Sequence, residues 1–289
     1  MSIHSRFQEG RFLREFSTYG IGGPAKYCME ARDIEDVRQA IFYCNQNKLP
    51  YLVVGKGSNC LFDDRGYAGL VIINKISFCN FIDSSVEVGA GYSFSLLGVQ
   101  TAKKGFSGLE FASGIPATVG GAVYMNAGAN GKETCDFLTS VQYVSEEGEL
   151  LLLKRQELEF GYRFSSFQKR KGAIVGASFL LEPSSLARVQ QLEILQYRLR
   201  TQPYQDRSAG CVFRNPLPSA AGALIDKCGL KGVTRGGAEI SAMHANFIVN
   251  KNGATAQDVL DLAHYVKEVV FEKTGVELDM EIRRIPYEG

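Results

Sequence analysis

GLEFASGIPATVGGAVYMNAGANG, residues 108–131, carries six glycines (Gly108, Gly114, Gly120, Gly121, Gly128 and Gly131) and no charged side chain between Phe111 and Gly131. Without a Cβ, such a chain can take φ > 0 and lie directly against a flat or charged ligand, presenting main-chain N–H groups in place of side chains. The same lack of a Cβ lets two backbones cross closely in a packed core. Spacing alone leaves both readings open.

Working outward, the flanking elements alternate between strand and helix patterns. Asp33 caps a helix with Ile34, Val37, Ile41 and Cys44 at helical spacing, and a strand follows over 51–54. Its exit loop, Gly55-Lys56-Gly57-Ser58-Asn59-Cys60, imitates the dinucleotide fingerprint but puts Cys60 at the third glycine, and LFDDRG does not continue as an amphipathic helix. A standard Rossmann site is therefore disfavoured. What remains is a glycine turn suited either to cradle phosphate or simply to reverse the chain. Strands are expected at 70–73 and 86–88, a helix over 93–104 stopped by Gly105, a hairpin of 141–144 with 150–153, and a strand over 174–181.

Beyond Pro183 the spacing predicts a helix capped by Ser184 with Leu186, Val189, Leu192, Leu195 and Leu199 on one face. A second amphipathic helix opens at Thr255-x-x-Asp258 and runs through Val259, Leu262, Val266 and Val270 to Gly275. The closing strand alternates Val276, Leu278, Met280 and Ile282 with Glu277, Asp279, Glu281 and Arg283. The whole reads as an α/β chain, and its 289 residues are long enough for two domains.

Charge excludes broad classes of partner. The formal net charge of +1 gives no global pull towards nucleic acid or an anionic membrane, so electrostatic recognition has to be local. It concentrates between Arg198 and Arg235, where seven Lys/Arg stand against Asp206 and Asp226, a local +5. This is either a solvated basic face or a pocket for a multiply anionic small molecule. Seven scattered cysteines with no C-x-x-C pair suggest a reducing compartment, and His4, His244 and His264 show no metal-ligand spacing. With no apolar run near the ~18 residues of a membrane span and no signal-like N-terminus, the expectation is a cytoplasmic protein without membrane insertion.

Several segments in this order resemble the UDP-N-acetylenolpyruvoylglucosamine reductases of bacterial cell-wall synthesis: STYGIGGPA (17–25), VVGKGSN (53–59), SGIPATVGGAVYMNAGANG (113–131), GYRFSS (161–166), AGCVFRNP (209–216), AGALIDKCGLKG (221–232), SAMHANFIVN (241–250) and LDMEI (278–282). With no extra insertion around the substrate loop, the chain is similar to the shorter of the family's two subtypes.

The resemblance implies a flavin domain of the vanillyl-alcohol-oxidase (PCMH) type over residues 1–182 and a smaller α/β substrate-binding domain over 183–289, whose last strand returns to the active site. It implies tightly bound FAD, NADPH as co-substrate, and UDP-N-acetylglucosamine enolpyruvate as the substrate reduced to UDP-N-acetylmuramate by ping-pong chemistry. A monomer without metal or nucleic-acid partner is expected. By the same resemblance FAD falls to Tyr19, Gly20 and Gly22; to Gly55, Gly57, Ser58 and Asn59; and to Gly114, Ile115, Pro116, Thr118, Val119, Gly120, Gly121, Asn126 and Gly128.

Arg163, Cys211 and Glu281 match the family's catalytic positions. Hydride addition at C3 of the enolpyruvyl group leaves enolate-like charge, so a cationic fork and an acid must converge there. Cys211 stands where many members carry a serine proton donor, and a thiol, ordinarily titrating near ~8.5, is the better acid. Tyr162, Arg214 and Asn215 match substrate positions, whereas Thr201 stands where some members have a lysine.

Overall fold

The computed structural model describes residues 3–288, which form two compact units, each assembled from discontinuous pieces. The first takes the chain up to Glu9, Tyr27–Lys56 and Gly69–Arg198. The second takes Gly10–Lys26, Gly57–Ala68 and the chain from Leu199 onward. No helix among the described residues is long and apolar enough to cross a membrane.

In the first unit, helix α1 (Ile34–Gln46) begins where the Asp33 carboxylate accepts the Asp36 N–H at 2.8 Å. Its inner face, Val37, Ala40, Ile41 and Cys44, packs on Met29, Leu70, Ile72 and Val175. The strand Tyr51–Val54 runs parallel to Tyr67–Asn74, from Tyr51 opposite Leu70 to Val54 opposite Ile73. A five-stranded antiparallel sheet follows in the order Leu150–Lys154, Leu138–Ser145, Gly172–Leu180, Ser85–Gly89, Cys79–Ile82. Helices α2 (Phe94–Lys103) and α3 (Val119–Met125) cover it, burying Phe94, Leu97, Val119 and Val123 against Val86, Val88, Val141 and Phe179.

Helix α4 (Ala187–Thr201) forms as expected, but the five apolar residues do not share one face. Its buried residues are Ala187, Gln191 and Arg198, while Leu186, Val189 and Leu199 are 60%, 53% and 54% exposed. The apolar residues Leu186, Val189, Leu192 and Leu195 recur every third residue, and each such step falls about 60° short of a full turn. They wind around the helix instead of lining one face.

The second unit builds on a three-stranded antiparallel sheet, Thr234–Arg235, Ala238–Ile240 and Ile248–Asn250. Helices α5 (Ala221–Lys227) and α6 (Ala256–Thr274) complete its core, in which Ile225, Val259, Leu262 and Val266 meet Ile240 and Ile248. Tyr19, Ile21 and Leu61, from the two early segments, lie in the same core. The α6 capping box is present as expected, with Thr255 and Asp258 satisfying each other's backbone N–H, and Gly275 ends the helix in the left-handed conformation.

The closing strand is shorter than expected. Only Arg283–Ile285 forms a ladder, parallel to Cys60–Phe62, while 276–282 holds a single bridge from Met280 to Phe213. Leu278 and Ile282 are buried as the alternation requires. The facing segment 211–213 is itself held by isolated bridges, so it offers no continuous edge.

Candidate active site

The glycine-rich stretch of the first unit is stitched mostly to protein. The N–H groups of Gly114, Ile115 and Ala117 donate to Ser95 Oγ, Ala112 O and Ile115 O at 2.8, 2.9 and 2.8 Å. Those of Val119 and Gly120 donate to Tyr92 O and Ala90 O at 2.9 and 2.8 Å, and that of Gly121 reaches its N-cap Thr118 Oγ1 at 3.3 Å. The main-chain donors expected to face a ligand are thus largely engaged internally. Two glycines are there for close approach: a Cβ on Gly55 would strike the Thr118 hydroxyl, and one on Gly120 would lie 2.9 Å from Ala90 Cβ. The strand-exit turn and the head of α3 therefore meet with no room for a side chain. Gly121 is exposed, with only Thr118 Oγ1 near the place a Cβ would take.

Arg163 reaches this stretch. It sits with Tyr162 in the two-residue turn between Phe160–Gly161 and Phe164–Ser165, at φ 55°, which is uncommon for a side-chain-bearing residue. Its Nη2 donates to Gly128 O at 3.1 Å, and its guanidinium lies 4.9 Å from the Tyr162 ring centroid. Asn126, fully buried and left-handed at φ 45°, holds the arrangement from below. Its Nδ2 donates to Glu133 Oε2 (2.7 Å) and Gly161 O (2.9 Å), and its Oδ1 accepts the Cys135 N–H (3.0 Å).

In the second unit, Cys211 and Glu281 come onto adjoining backbones. The Glu281 N–H donates to Val212 O at 2.7 Å, and Cys211 bridges Phe247. Asn59, from the strand-exit loop, donates its Nδ2 to Glu281 O at 3.2 Å and accepts the Arg283 N–H at 2.9 Å. A residue not singled out in the sequence clamps the other side. Asn246 is 2% exposed, accepts the Phe213 N–H at 2.9 Å and donates to Phe213 O at 2.8 Å. Only its place inside SAMHANFIVN hinted at a role, because the far partner of a buried amide leaves no local pattern.

Arg214 extends from this segment with its N–H on Asp279 O at 2.9 Å. Its Nε is buried and has no hydrogen-bond partner, an atom that calls for an acceptor. Asn215 Oδ1 accepts the Ala221 N–H at 3.0 Å, so that side chain heads α5. Tyr19 is fully buried and donates its hydroxyl to Ile248 O at 2.8 Å, and burial pushes its phenol pKa far up. Beside Gly20 opens a cavity of about 500 Å³ walled by Arg14, Arg207, Asn250 and the Lys251–Asp206 pair, which meets at 2.9 Å.

Two family models match the chain. Residues 202–285 match the UDP-N-acetylenolpyruvoylglucosamine reductase C-terminal domain and residues 25–154 an FAD binding domain. The UDP-N-acetylenolpyruvoylglucosamine reductase of Protochlamydia amoebophila is 55% identical over 289 residues, covering 100% of this chain and 97% of that protein. The protein of the same name from Chlamydia muridarum is 46% identical over 97% of this chain and 95% of its own length. A crystal structure of UDP-N-acetylenolpyruvylglucosamine reductase from Thermus caldophilus superposes with a TM-score of 0.84 at 36% identity, covering 97% of this chain and 100% of that one. With full-length identity at this level and both domains matched, the chain belongs to the UDP-N-acetylenolpyruvoylglucosamine reductase family.

Proposed function

We propose that this chain is an FAD-dependent reductase that converts UDP-N-acetylglucosamine enolpyruvate to UDP-N-acetylmuramate for peptidoglycan synthesis in the cytoplasm, acting as a monomer with NADPH as electron donor. The observation that carries the reading is the seating of Glu281 beside the Cys211 segment, the Glu281 N–H lying 2.7 Å from Val212 O. It brings onto adjoining backbones a carboxyl-bearing and a thiol-bearing residue that are distant in the sequence. FAD is assigned to residues 1–182, and the nucleotide substrate chiefly to 183–289, with Tyr162 and Arg163 contributed from the first segment.

The residues present fit a flavin nucleotide. Ser113, within the glycine-rich stretch, keeps a fully buried hydroxyl without a hydrogen-bond partner, and Gly121 presents an open face. FAD, when bound, supplies the hydride carrier between NADPH and the enolpyruvyl double bond. Around the substrate, Arg163 binds the charge that develops over C2 and the carboxylate, its planar fork held in position by Gly128 O. Cys211 delivers the proton to C2 from Sγ. Glu281 orients the substrate carboxylate through a shared proton, and Arg214, Asn215 and Tyr162 bind the nucleotide.

Visible absorption under anaerobic conditions tests this reading. The purified protein is expected to be yellow, to bleach with NADPH, and to regain its colour on adding UDP-N-acetylglucosamine enolpyruvate. A colourless protein, or a reduced flavin indifferent to that nucleotide, would sink the assignment.

A further inference from the structure

Arg163 occupies a backbone conformation that a non-glycine residue adopts only when its surroundings over-determine it, so something must hold the turn. The holding group is Gln168. Its Nε2 donates to Arg163 O at 3.1 Å and to Tyr124 O at 3.0 Å, with Met125 Sδ at 3.8 Å. All three partners are acceptors, which sets the amide with its nitrogen towards them.

Tyr124 lies in the last turn of α3, where carbonyls have no acceptor role within the helix. Its oxygen also takes the Ser165 hydroxyl at 2.6 Å. One side chain thus bolts the arginine-bearing turn to the end of the helix that begins in the glycine-rich stretch. Asn126 fastens the same turn from its other limb, through Gly161 O at 2.9 Å.

We propose that Gln168 is a positioning residue for Arg163: it fixes the guanidinium where charge develops and does not itself meet the substrate. The inference rests on the catalytic reading of Arg163. It requires a donor at position 168 and not merely a side chain of similar volume. Gln168→Glu keeps the shape but, once ionised, turns an acceptor towards two carbonyl oxygens. Gln168→Lys keeps a donor within reach of both.

The two anaerobic half-reactions separate the possibilities. With Gln168→Glu, FAD content, the melting temperature of the holoenzyme and the rate of flavin reduction by NADPH are expected to stay near wild type. Reoxidation by the enolpyruvyl nucleotide should slow on the order of 10- to 100-fold, the scale of an ångström-level misplacement, with the Kd of that nucleotide on the oxidised enzyme changed far less. Gln168→Lys should restore most of the rate.

Two controls decide what a failure means. If Arg163→Ala slows reoxidation and Gln168→Glu does not, the clamp is wrong while the role of Arg163 stands. If Arg163→Ala reoxidises normally, the reading of Arg163 falls and the inference with it. Adding Gln168→Glu to Arg163→Ala should cost nothing further. An equal loss in both half-reactions together with lost FAD would mark Gln168 as generally structural and overturn the proposal.

Discussion

Replacing Cys211 by serine exchanges a thiol for a hydroxyl on a backbone position that is bridged to Phe247 and leaves those main-chain contacts intact. Both groups carry a transferable proton, so Cys211→Ser is expected to keep substantial turnover. Cys211→Ala has none to give and should lose roughly 10²- to 10⁴-fold in turnover, the usual worth of a general acid, while flavin reduction by NADPH proceeds unchanged. Stopped-flow measurement of the two half-reactions distinguishes these outcomes, and normal turnover by the alanine variant would remove Cys211 from the mechanism. At this scale the family resemblance of the sequence pointed to Arg163, Cys211 and Glu281, the groups proposed to carry the chemistry. It did not reveal Gln168 or Asn246, because an amide that holds another residue's carbonyl has no signature of its own.

Among the elements, α6 shows local chemistry deciding a boundary. Thr255 Oγ1 accepts the Asp258 N–H at 3.0 Å, and Asp258 Oδ2 accepts the Thr255 N–H at 2.9 Å and the Gly237 N–H at 3.2 Å. The bond from the Thr255 N–H is the largest cause holding the Asp258 carboxyl below its usual value, with the Gly237 N–H and the Thr255 side chain adding to it. A depressed folded-state pKa means the contribution is present above the unfolded value, about 4, and fades as pH falls through the folded one. Thr255→Ala should cost about 1 kcal/mol at neutral pH by chemical denaturation. The deficit of Asp258→Ala should be largest at neutral pH and shrink below about pH 4. A pH-independent deficit would contradict the cap.

Helix α4 is the contrary case, for its existence follows from the chain's own periodicity but its orientation does not. Ala187 and Gln191 turn inward, where Arg188 donates to Gln191 Oε1, and Val189 remains 53% exposed. A run of apolar residues at three-residue spacing indicates a helix without saying which side will be covered.

At the scale of the whole molecule, the compact units do not follow chain order. Tyr19, Ile21 and Leu61 are buried with Val212, Ile248 and Leu278, and Cys60–Phe62 is the parallel partner of Arg283–Ile285. The Asp64 carboxylate accepts the Ala256 N–H at 2.9 Å at the head of α6. A polypeptide of residues 199–289 alone therefore lacks part of its core and one strand of a pair. It should fail to give a cooperative thermal transition by circular dichroism, whereas a stable, cooperatively melting fragment would show that the early segments are dispensable.

The amino-acid sequence by itself determined α1, α6 and the strand Tyr51–Val54, since a capping side chain, a 3.6-residue period and a β-branched run act within a few residues of one another. It also marked the glycine positions and, through the order of its segments, the family. Only the tertiary structure decided what those glycines do. Gly55 makes room for the Thr118 side chain and Gly120 for Ala90, and the N–H groups of the stretch are mostly taken by protein oxygens. The direction of α4, the capture of 10–26 and 57–68 by the second unit, and the clamp on Arg163 were likewise decided there. Each depends on which distant group occupies the facing surface, and burial and hydrogen bonding across the sequence are set by that partner, not by the residue's neighbours in the chain.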